Sequence, residues 1–221
     1  KTIFVVGAGL MGAGIAQVCA QSGYTVMMQD ITEEILQKAI ASIRWSAGKL
    51  AEKGRIPCTA EEVISRISTA TNLKEAGNAD LVVEAVFEEV DLKRRIFQEL
   101  DCFCASHTIL ASNTSAIPIS EISRATNRQD RVVGTHFFSP VPMMKLVEVI
   151  RTLSTSEETF AAAIQWAQSL GKEVVRVNLD VAGFAMNRIN LPSTIEAIQL
   201  VEKGIASVED IDRGMRLGFG R

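Results

Sequence analysis

The sequence has few side chains that bind metals or titrate near neutral pH. Its 221 residues include two histidines, His107 and His136, and four cysteines without a C-x-x-C pair. A multi-histidine metal centre is therefore excluded, and Cys102 and Cys104 alone are too few ligands for zinc. Any mechanism that needs a histidine base has two candidates. We expect no bound metal, and four reduced thiols in a cytoplasmic protein.

Long hydrophobic runs and an excess of one charge are also missing. The net charge is −3, with 47% hydrophobic and 22% charged residues. The longest apolar runs are far shorter than the roughly 18 residues of a membrane span. The N-terminal residues Lys1–Gly7 are typical of a first β-strand and not of a signal peptide. The sequence predicts a soluble globular protein with no nucleic-acid or membrane partner.

Strand-like and helix-like segments alternate from the first residues onward. The pattern predicts a strand at Thr2–Val6, a small-residue helix that ends before Gly23, a strand at Tyr24–Asp30 and a helix at Thr32–Lys53. Such βαβ units indicate an α/β, Rossmann-type, doubly wound and mainly parallel sheet. The elements predicted after them are strands Ile67–Ala70, Leu81–Val86, Thr108–Ser112, Val132–Phe138, Leu146–Ile150 and Val174–Val177, and helices Glu88–Leu100, Ile117–Ser123 and Ser156–Leu170.

The end of the chain predicts a second, smaller domain. A helix at Phe184–Lys203 contains Pro192, and a second helix starts after Ser207. We place the boundary at Asp180, so that residues 1–180 form the sheet domain and residues 181–221 begin an all-α domain. Two helices alone cannot bury their apolar faces, so this domain is predicted to be truncated.

A glycine-rich run joins the first predicted strand to the first predicted helix. It reads Gly7-Ala8-Gly9-Leu10-Met11-Gly12, and Asp30 ends the next strand eighteen residues later. A G-x-G-x-x-G run between strand and helix, followed by an acidic residue, is the fingerprint of dinucleotide binding. Asp30 can accept hydrogen bonds from ribose hydroxyls and repels a 2′-phosphate. The sequence therefore predicts NAD binding and disfavours NADP.

Two further segments contain candidate catalytic residues. Ser112-Asn113-Thr114-Ser115 follows a predicted parallel strand, where open α/β sheets bind ligands, although such a string also forms simple helix-capping turns. His136 lies in an apolar strand, and Glu148 lies in the next one. A carboxylate in a buried strand needs a partner, so Glu148 could orient His136 as a general base. The alternative is a core histidine beside a surface-facing glutamate.

Several segments, in this order and spacing, carry a resemblance to one known family. They are Gly7–Gly12 with Asp30, Val83-Glu84-Ala85, Ser112–Ser115, His136-Phe137-Phe138 with Pro140 and Pro142, Met144–Val149, Gly183-Phe184 with Asn187-Arg188, and Glu209–Asp212. Over essentially its whole length the chain resembles the 3-hydroxyacyl-CoA dehydrogenases, especially the short-chain 3-hydroxybutyryl-CoA dehydrogenases.

The resemblance implies NAD-dependent oxidation of an (S)-3-hydroxyacyl-CoA to the 3-oxoacyl-CoA, in fatty acid or butyrate metabolism, by a homodimer formed through the C-terminal helical domain. It implies that His136 accepts the hydroxyl proton, that Glu148 steadies His136, and that Ser115 and Asn187 hold the substrate oxygen. Lys49 and Lys53 are implied to reach the CoA moiety, although from the residues alone they indicate a solvated helix face. The implied cofactor contacts are Gly7, Gly9, Leu10, Met11, Gly12, Asp30, Ala85, Glu88, Lys93 and Asn113.

Three alternatives remain open at the level of the sequence. A sugar-acid dehydrogenase of the L-gulonate 3-dehydrogenase type has the same scaffold. A non-catalytic NAD-binding protein, such as a dehydrogenase-like lens crystallin, also has it. The chain could equally be the dehydrogenase portion of a larger multifunctional fatty-acid oxidation protein.

Overall fold

The computed structural model describes residues 1–220 and consists of two compact units. The first unit is Lys1–Ala182 and the second starts at Gly183. This division lies two residues after the boundary predicted at residue 180. The first unit contains a sheet with helices, and the second is helical. No helix among the described residues is long and apolar enough to cross a membrane.

The first unit is built on a single eight-stranded sheet. Its strands are β1 (Thr2–Val6), β2 (Thr25–Gln29), β3 (Ile67–Ala70), β4 (Leu81–Glu84), β5 (Ile109–Ser112), β6 (Val132–Phe137), β7 (Leu146–Ile150) and β8 (Glu173–Val177). They lie in the order β3-β2-β1-β4-β5-β6-β7-β8. The first six in that order are mutually parallel, whereas β7 is antiparallel to β6 and parallel to β8. The predicted doubly wound, mainly parallel sheet is confirmed.

The helices of the first unit connect these strands. They are α1 (Leu10–Gln21), α2 (Glu33–Glu52), α3 (Ala60–Ser65), α4 (Val90–Phe103), α5 (Ile119–Ser123) and α6 (Glu157–Ser169). Hydroxyl side chains cap three of them: Thr32 at α2, Thr59 at α3 and Ser156 at α6. Thr59 and Glu62 form a capping box, in which each side chain accepts a hydrogen bond from the other residue's backbone amide.

The central strands are buried along their length because helices cover the sheet. Ile3 to Val6 of β1 are at most 2% exposed, and every residue of β4 and β6 is buried. Continuous apolar runs of this kind are typical of parallel strands with both faces covered. Within the sheet, the groups available for chemistry are therefore those at the ends of strands and the few polar side chains inside them.

The connection from β4 to α4 differs from the prediction. β4 ends at Glu84 and not at Val86, and α4 begins at Val90 and not at Glu88. The reason is the hydrogen bonding of the two glutamates, Glu84 and Glu88. The Val86 amide donates to the Glu84 carboxylate at 2.8 Å, and the Glu88 carboxylate accepts from the Ser115 amide at 2.8 Å. These hydrogen bonds fix the conformation of the loop between β4 and α4. Hydrophobic periodicity therefore could not predict where the loop begins and ends.

The second unit contains two helices, α7 (Met186–Glu202) and α8 (Val208–Phe219). Pro192 lies inside α7, as predicted, and the Ser207 hydroxyl accepts from the Asp210 amide to cap α8. Neither helix has a fully buried side chain within the described chain. Large apolar side chains of both helices are exposed, among them Ile189, Leu191, Ile198, Val208, Leu217 and Phe219.

Candidate active site

Five neighbouring strands each place a candidate site residue at the same edge of the sheet, the one formed by the carboxyl ends of the parallel strands. In the order of the strands they are Asp30 after β2, Gly7 after β1, Glu84 at the end of β4, Asn113 after β5 and His136 in β6. Because these strands are parallel, their carboxyl ends share an edge. Ligands of open α/β sheets bind at this edge. The strand order therefore places the glycine loop and His136 at the same edge of the sheet.

The glycine loop has the geometry of a phosphate-binding turn. Gly7 has a φ of +94°, and a Cβ at Gly7 would lie 2.8 Å from the Ala85 carbonyl oxygen. A Cβ at Gly12 would lie 1.8 Å from the Gly7 carbonyl oxygen. A Cβ at Gly9 would meet no described atom within 4 Å, and Gly9 is the N-cap of α1. The loop thus leaves space for an anion beside helix amides, which suits a dinucleotide pyrophosphate.

Asp30 ties the end of β2 to this loop. Its Oδ2 accepts from the Ala8 amide at 2.7 Å, and its Oδ1 accepts from the Ile31 amide at 2.7 Å. The carboxylate is half-buried. Each oxygen retains a second lone pair, so a ribose hydroxyl can also donate to it. The described residues at this edge therefore fit an NAD molecule.

A buried ion pair, which the sequence reasoning did not predict, lies at the end of β4. The Lys93 ammonium donates to Glu84 Oε1 at 2.6 Å, and both side chains are almost fully buried, at 1% and 0% exposure. Glu84 Oε2 accepts from the Ser112 hydroxyl at 2.7 Å. The only feature of the sequence that could have indicated this ion pair is Glu84 itself, an acidic residue within the apolar run Leu81–Val86. The ion pair therefore joins α4 to the end of β4, and the Ser112 hydrogen bond joins β4 to β5.

Glu88 organises the loop after β5. Its Oε1 accepts from the Thr114 hydroxyl at 2.6 Å, from the Ser115 amide and hydroxyl at 2.8 and 3.1 Å, and from the Ala116 amide at 3.1 Å. Burial by itself raises the pKa of Glu88, but these hydrogen bonds and the charge of Lys93 outweigh burial and hold its pKa below the usual value. The predicted cofactor residue Glu88 and the predicted substrate residue Ser115 are therefore direct neighbours.

Asn113 connects the Ser112–Ser115 segment to the strand that carries His136. Its amide donates to the Glu84 carbonyl at 2.7 Å, and its side-chain oxygen accepts from the Phe137 amide at 3.0 Å. The segment is therefore more than a simple helix-capping turn. It joins the ends of β4, β5 and β6.

His136 and Glu148 form a buried hydrogen-bonded pair. They are opposite residues in the antiparallel pairing of β6 with β7, and His136 Nδ1 lies 2.8 Å from Glu148 Oε2. Glu148 is 0% exposed and His136 is 6% exposed. The alternative of a surface-facing Glu148 is therefore wrong. A buried carboxylate on Nδ1 orients the ring and selects the tautomer in which Nε2 accepts a proton.

A groove runs between α1, α2 and the loop that follows β6. One part, of about 520 Å³, is lined by Gly9 and Gln17 from the α1 side, Ser46 and Trp45 from α2, and Val141 from the loop. We name the whole depression the α1–α2 groove. Its second part, of about 420 Å³, shares Pro142 with the first and is lined by Val18, Gln21, Leu50, Arg55, Lys145 and Lys172, among others.

Lys172 holds the loop that forms the outer wall of the α1–α2 groove. Its ammonium donates to the carbonyl oxygens of Val141 at 2.6 Å and Met144 at 2.7 Å. Burial lowers the pKa of Lys172. Lys49 and Lys53 lie at the end of α2, beyond Ser46 on the same stripe; Lys49 pairs with Glu52 at 2.8 Å in an exposed position. No lining residue of the groove is one of these two lysines.

The remaining predicted residues lie elsewhere. Asn187 is in the first turn of α7, in the second unit. His107 is exposed, and its Nε2 lies 3.9 Å from Asp80 Oδ1. Residues 1–220 contain no cluster of three or more His, Cys, Asp or Glu side chains that could hold a metal ion. All four cysteines are free thiols.

Two family models match this chain. The one described as 3-hydroxyacyl-CoA dehydrogenase, NAD binding domain, matches residues 2–181. The one described as 3-hydroxyacyl-CoA dehydrogenase, C-terminal domain, matches residues 183–221. Together they cover both structural units.

Individual proteins and solved structures agree with these matches. Mitochondrial hydroxyacyl-coenzyme A dehydrogenase of Rattus norvegicus is 49% identical, over 100% of this chain and 72% of the relative. A probable 3-hydroxybutyryl-CoA dehydrogenase of Bacillus subtilis is 48% identical, over 99% of this chain and 76% of the relative. The crystal structure of (S)-3-hydroxybutyryl-CoA dehydrogenase from Ralstonia eutropha is similar with a TM-score of 0.95 and 40% identity, over 100% of this chain and 78% of that one.

Proposed function

The chain belongs to the 3-hydroxyacyl-CoA dehydrogenase family, and from this membership and the geometry of its site we propose that it interconverts (S)-3-hydroxyacyl-CoA and 3-oxoacyl-CoA with NAD. It is an NAD-dependent oxidoreductase. We assign 3-hydroxybutyryl-CoA as its substrate, because relatives at 48% and 40% identity are named for that thioester. The observation that carries the assignment is the buried His136–Glu148 pair, which shares a sheet edge with the glycine loop.

His136 serves as the general base in this proposal. With Nδ1–H donated to Glu148, the ring accepts the 3-hydroxyl proton at Nε2. A bound NAD would supply the acceptor for the hydride of the carbon that bears this hydroxyl. The imidazolium that forms is stabilised by the buried Glu148 carboxylate 2.8 Å away. The same groups return the proton when the 3-oxo compound is reduced.

Ser115 and Asn187 are proposed to hold the substrate oxygen. Ser115 lies after β5, beside the strand that carries His136, and its hydroxyl lies 3.1 Å from Glu88. Asn187 is assigned on the family resemblance. Hydrogen bonds from these two side chains would orient the hydroxyl toward the base and polarise the carbonyl in the reverse reaction.

The cofactor contacts follow the strand order. Asp30 would bind the adenosine ribose, and Gly7, Gly9, Leu10, Met11 and Gly12 would enclose the pyrophosphate. Ala85, Glu88, Lys93 and Asn113 lie on the β4 and β5 side, toward His136, and are proposed to contact the nicotinamide half.

The α1–α2 groove is the proposed site for the CoA arm. The part that opens beside Gly9 has mostly apolar walls, which include Trp45 and Val141. The second part is lined by polar and apolar side chains alike. Lys49 and Lys53 lie where α2 leaves the groove and are proposed to reach the phosphates. Arg55 and Lys145 add positive charge there.

Assembly, location and pathway are proposed on the same resemblance. The exposed apolar side chains of α7 and α8 support the proposal that the second unit belongs to a helical substrate and dimerisation domain through which the protein forms a homodimer. We further propose a cytoplasmic enzyme of fatty acid or butyrate metabolism.

The first test is oxidation of NADH with acetoacetyl-CoA, beside parallel reactions with NADPH and with free acetoacetate. We expect turnover with NADH and the thioester, and little with either substitute. Equal turnover of the free acid would contradict the CoA assignment and favour a sugar-acid type of dehydrogenase. NADH binding without turnover of any substrate would favour a non-catalytic protein. The relatives' names do not favour either alternative.

Asp30→Ala should relax the preference for NADH over NADPH by about tenfold or more, because the negative charge that repels a 2′-phosphate is removed. NADH affinity should fall as well, since Asp30 also accepts from the Ala8 amide. Asp30→Asn, which keeps an acceptor for that amide, is the control for loop geometry. The measurement is kcat/KM with each cofactor, and an unchanged ratio in both variants would rule out the role of Asp30.

A further inference from the structure

A buried lysine holds the loop between β6 and β7. Lys172 is 8% exposed, and its ammonium donates to the carbonyl oxygens of Val141 and Met144 at 2.6 and 2.7 Å. Burial of an ammonium is unfavourable unless hydrogen bonds replace its hydration, so these two carbonyls stabilise it. Because β8 begins at the next residue, Lys172 ties the loop to the start of that strand.

A glycine of α1 contacts the same loop. A Cβ at Gly14 would lie 2.9 Å from Val141 Cβ and 3.1 Å from Val141 Cγ2. Carbon atoms of real side chains essentially never come this close, so only glycine admits Val141 at this distance from the helix. Glycine is a poor helix former, and Gly14 lies outside the Gly7–Gly12 run that forms the cofactor loop. The close approach of Val141 accounts for a glycine at this position.

Val141 is therefore the anchor of the loop, and its neighbours line the α1–α2 groove. Val141 is 2% exposed, whereas Pro140 is exposed and Pro142 is half-buried. Both prolines line the part of the groove beside Gly9, and Pro142 also lines the second part. We name Pro140 and Pro142 the proline wall. Since Val141 lies between them in the chain, the position of the anchor sets the position of the wall.

The base and the proline wall are held by different contacts. His136 is fixed by the pairing of β6 with β7 and by its hydrogen bond to Glu148. The wall begins at Pro140, four residues later, where the anchor is held by α1 and by Lys172. A shift of the anchor should therefore change the width of the groove and leave the base in place.

We propose that Gly14 and Lys172 are positioning residues for the substrate, which set the width of the α1–α2 groove by fixing Val141 and with it the proline wall. Dispersion contacts between a wall and a bound chain lose a quarter to a half of their strength when a gap of about 0.5–1 Å opens. A small shift of the wall therefore weakens binding of the CoA arm. This inference rests on the proposed function, in which the groove takes that arm.

The test compares acetoacetyl-CoA with acetoacetyl-N-acetylcysteamine, which has the same reacting groups but lacks most of the CoA arm. In Gly14→Ala the new methyl group displaces Val141, and in Lys172→Met the loop loses two hydrogen bonds. Each variant should raise KM for acetoacetyl-CoA by about 5- to 20-fold. The kcat for this substrate, and kcat/KM for the shorter thioester, should stay within about twofold of the unsubstituted protein.

The decisive quantity is the ratio of the two kcat/KM values, because a partly unfolded preparation lowers both equally. Gly48→Ala and Lys74→Met are the matched controls and should leave this ratio unchanged. A Cβ at Gly48 would meet only Ala60 Cβ, at 4.0 Å, and Lys74 is exposed and outside the groove. Where a test variant is too unstable to assay, Val141→Ala takes its place, and the ratio should fall because the anchor loses its methyl groups.

The two thioesters also separate this proposal from the proposed function. An unchanged ratio in the test variants would overturn the positioning roles. So would an equal loss with both thioesters, because the effect would then lie at the base or in the fold. If the unsubstituted protein turns over neither thioester, the proposed function is wrong and this proposal fails with it. If it turns over both equally well, the function stands but the groove does not take the CoA arm, and the positioning roles alone are overturned.

Discussion

Replacement of His136 by glutamine is expected to lower the turnover of acetoacetyl-CoA by roughly 100- to 10,000-fold, the usual contribution of a general base. Glutamine has a comparable size and can still bond Glu148, but it cannot accept the hydroxyl proton. NADH affinity should be unchanged, because His136 lies in β6 while the glycine loop follows β1. Steady-state turnover and NADH titration of the same preparation measure the two effects separately.

His107→Gln is the matched control for this variant. His107 is the other histidine of the chain, and it is exposed. It should retain full turnover. A large loss in His107→Gln, or a collapse of NADH affinity in His136→Gln, would show that the assignment of the base is wrong.

Lys93→Met is expected to lower the free energy of unfolding by roughly 3–5 kcal/mol, because it leaves the fully buried Glu84 carboxylate without its cation. Chemical denaturation of the variant, compared with the unsubstituted protein, measures this loss. The double variant Glu84→Gln/Lys93→Met removes both charges and should recover most of the stability, leaving a deficit of about 1 kcal/mol.

The double variant separates stability from cofactor binding. If Lys93 also contacts the cofactor, NADH affinity stays low in the double variant although the fold is restored. A loss below about 1 kcal/mol in Lys93→Met would contradict the picture of a buried charge that depends on its partner.

Most of the fold was predictable because its signals are local. The pattern is recognisable because a strand, a glycine turn and a helix follow one another directly along the chain. Asp30 is recognised by its position at the end of the next strand. The hydroxyl caps at Thr32 and Thr59 are equally local, since the cap and the amide it bonds are three residues apart. The bounds of the β4–α4 loop were not predictable, because Glu84 and Glu88 accept hydrogen bonds from residues of β5 and of the loop after it, which are distant in the sequence.

The residues of the candidate site could likewise be predicted only where their signals are local in the sequence. The sequence by itself determined the glycine loop, Asp30, the mainly parallel sheet and the scarcity of histidine that leaves His136 as the candidate base. The tertiary structure alone decided which partners these residues have: the Glu148 carboxylate opposite His136, and the buried Glu84–Lys93 pair. The physical reason is that periodicity reports which face a residue occupies within its own element. The partner across that face is set by strand order, register and helix packing, which bring together residues distant in the chain.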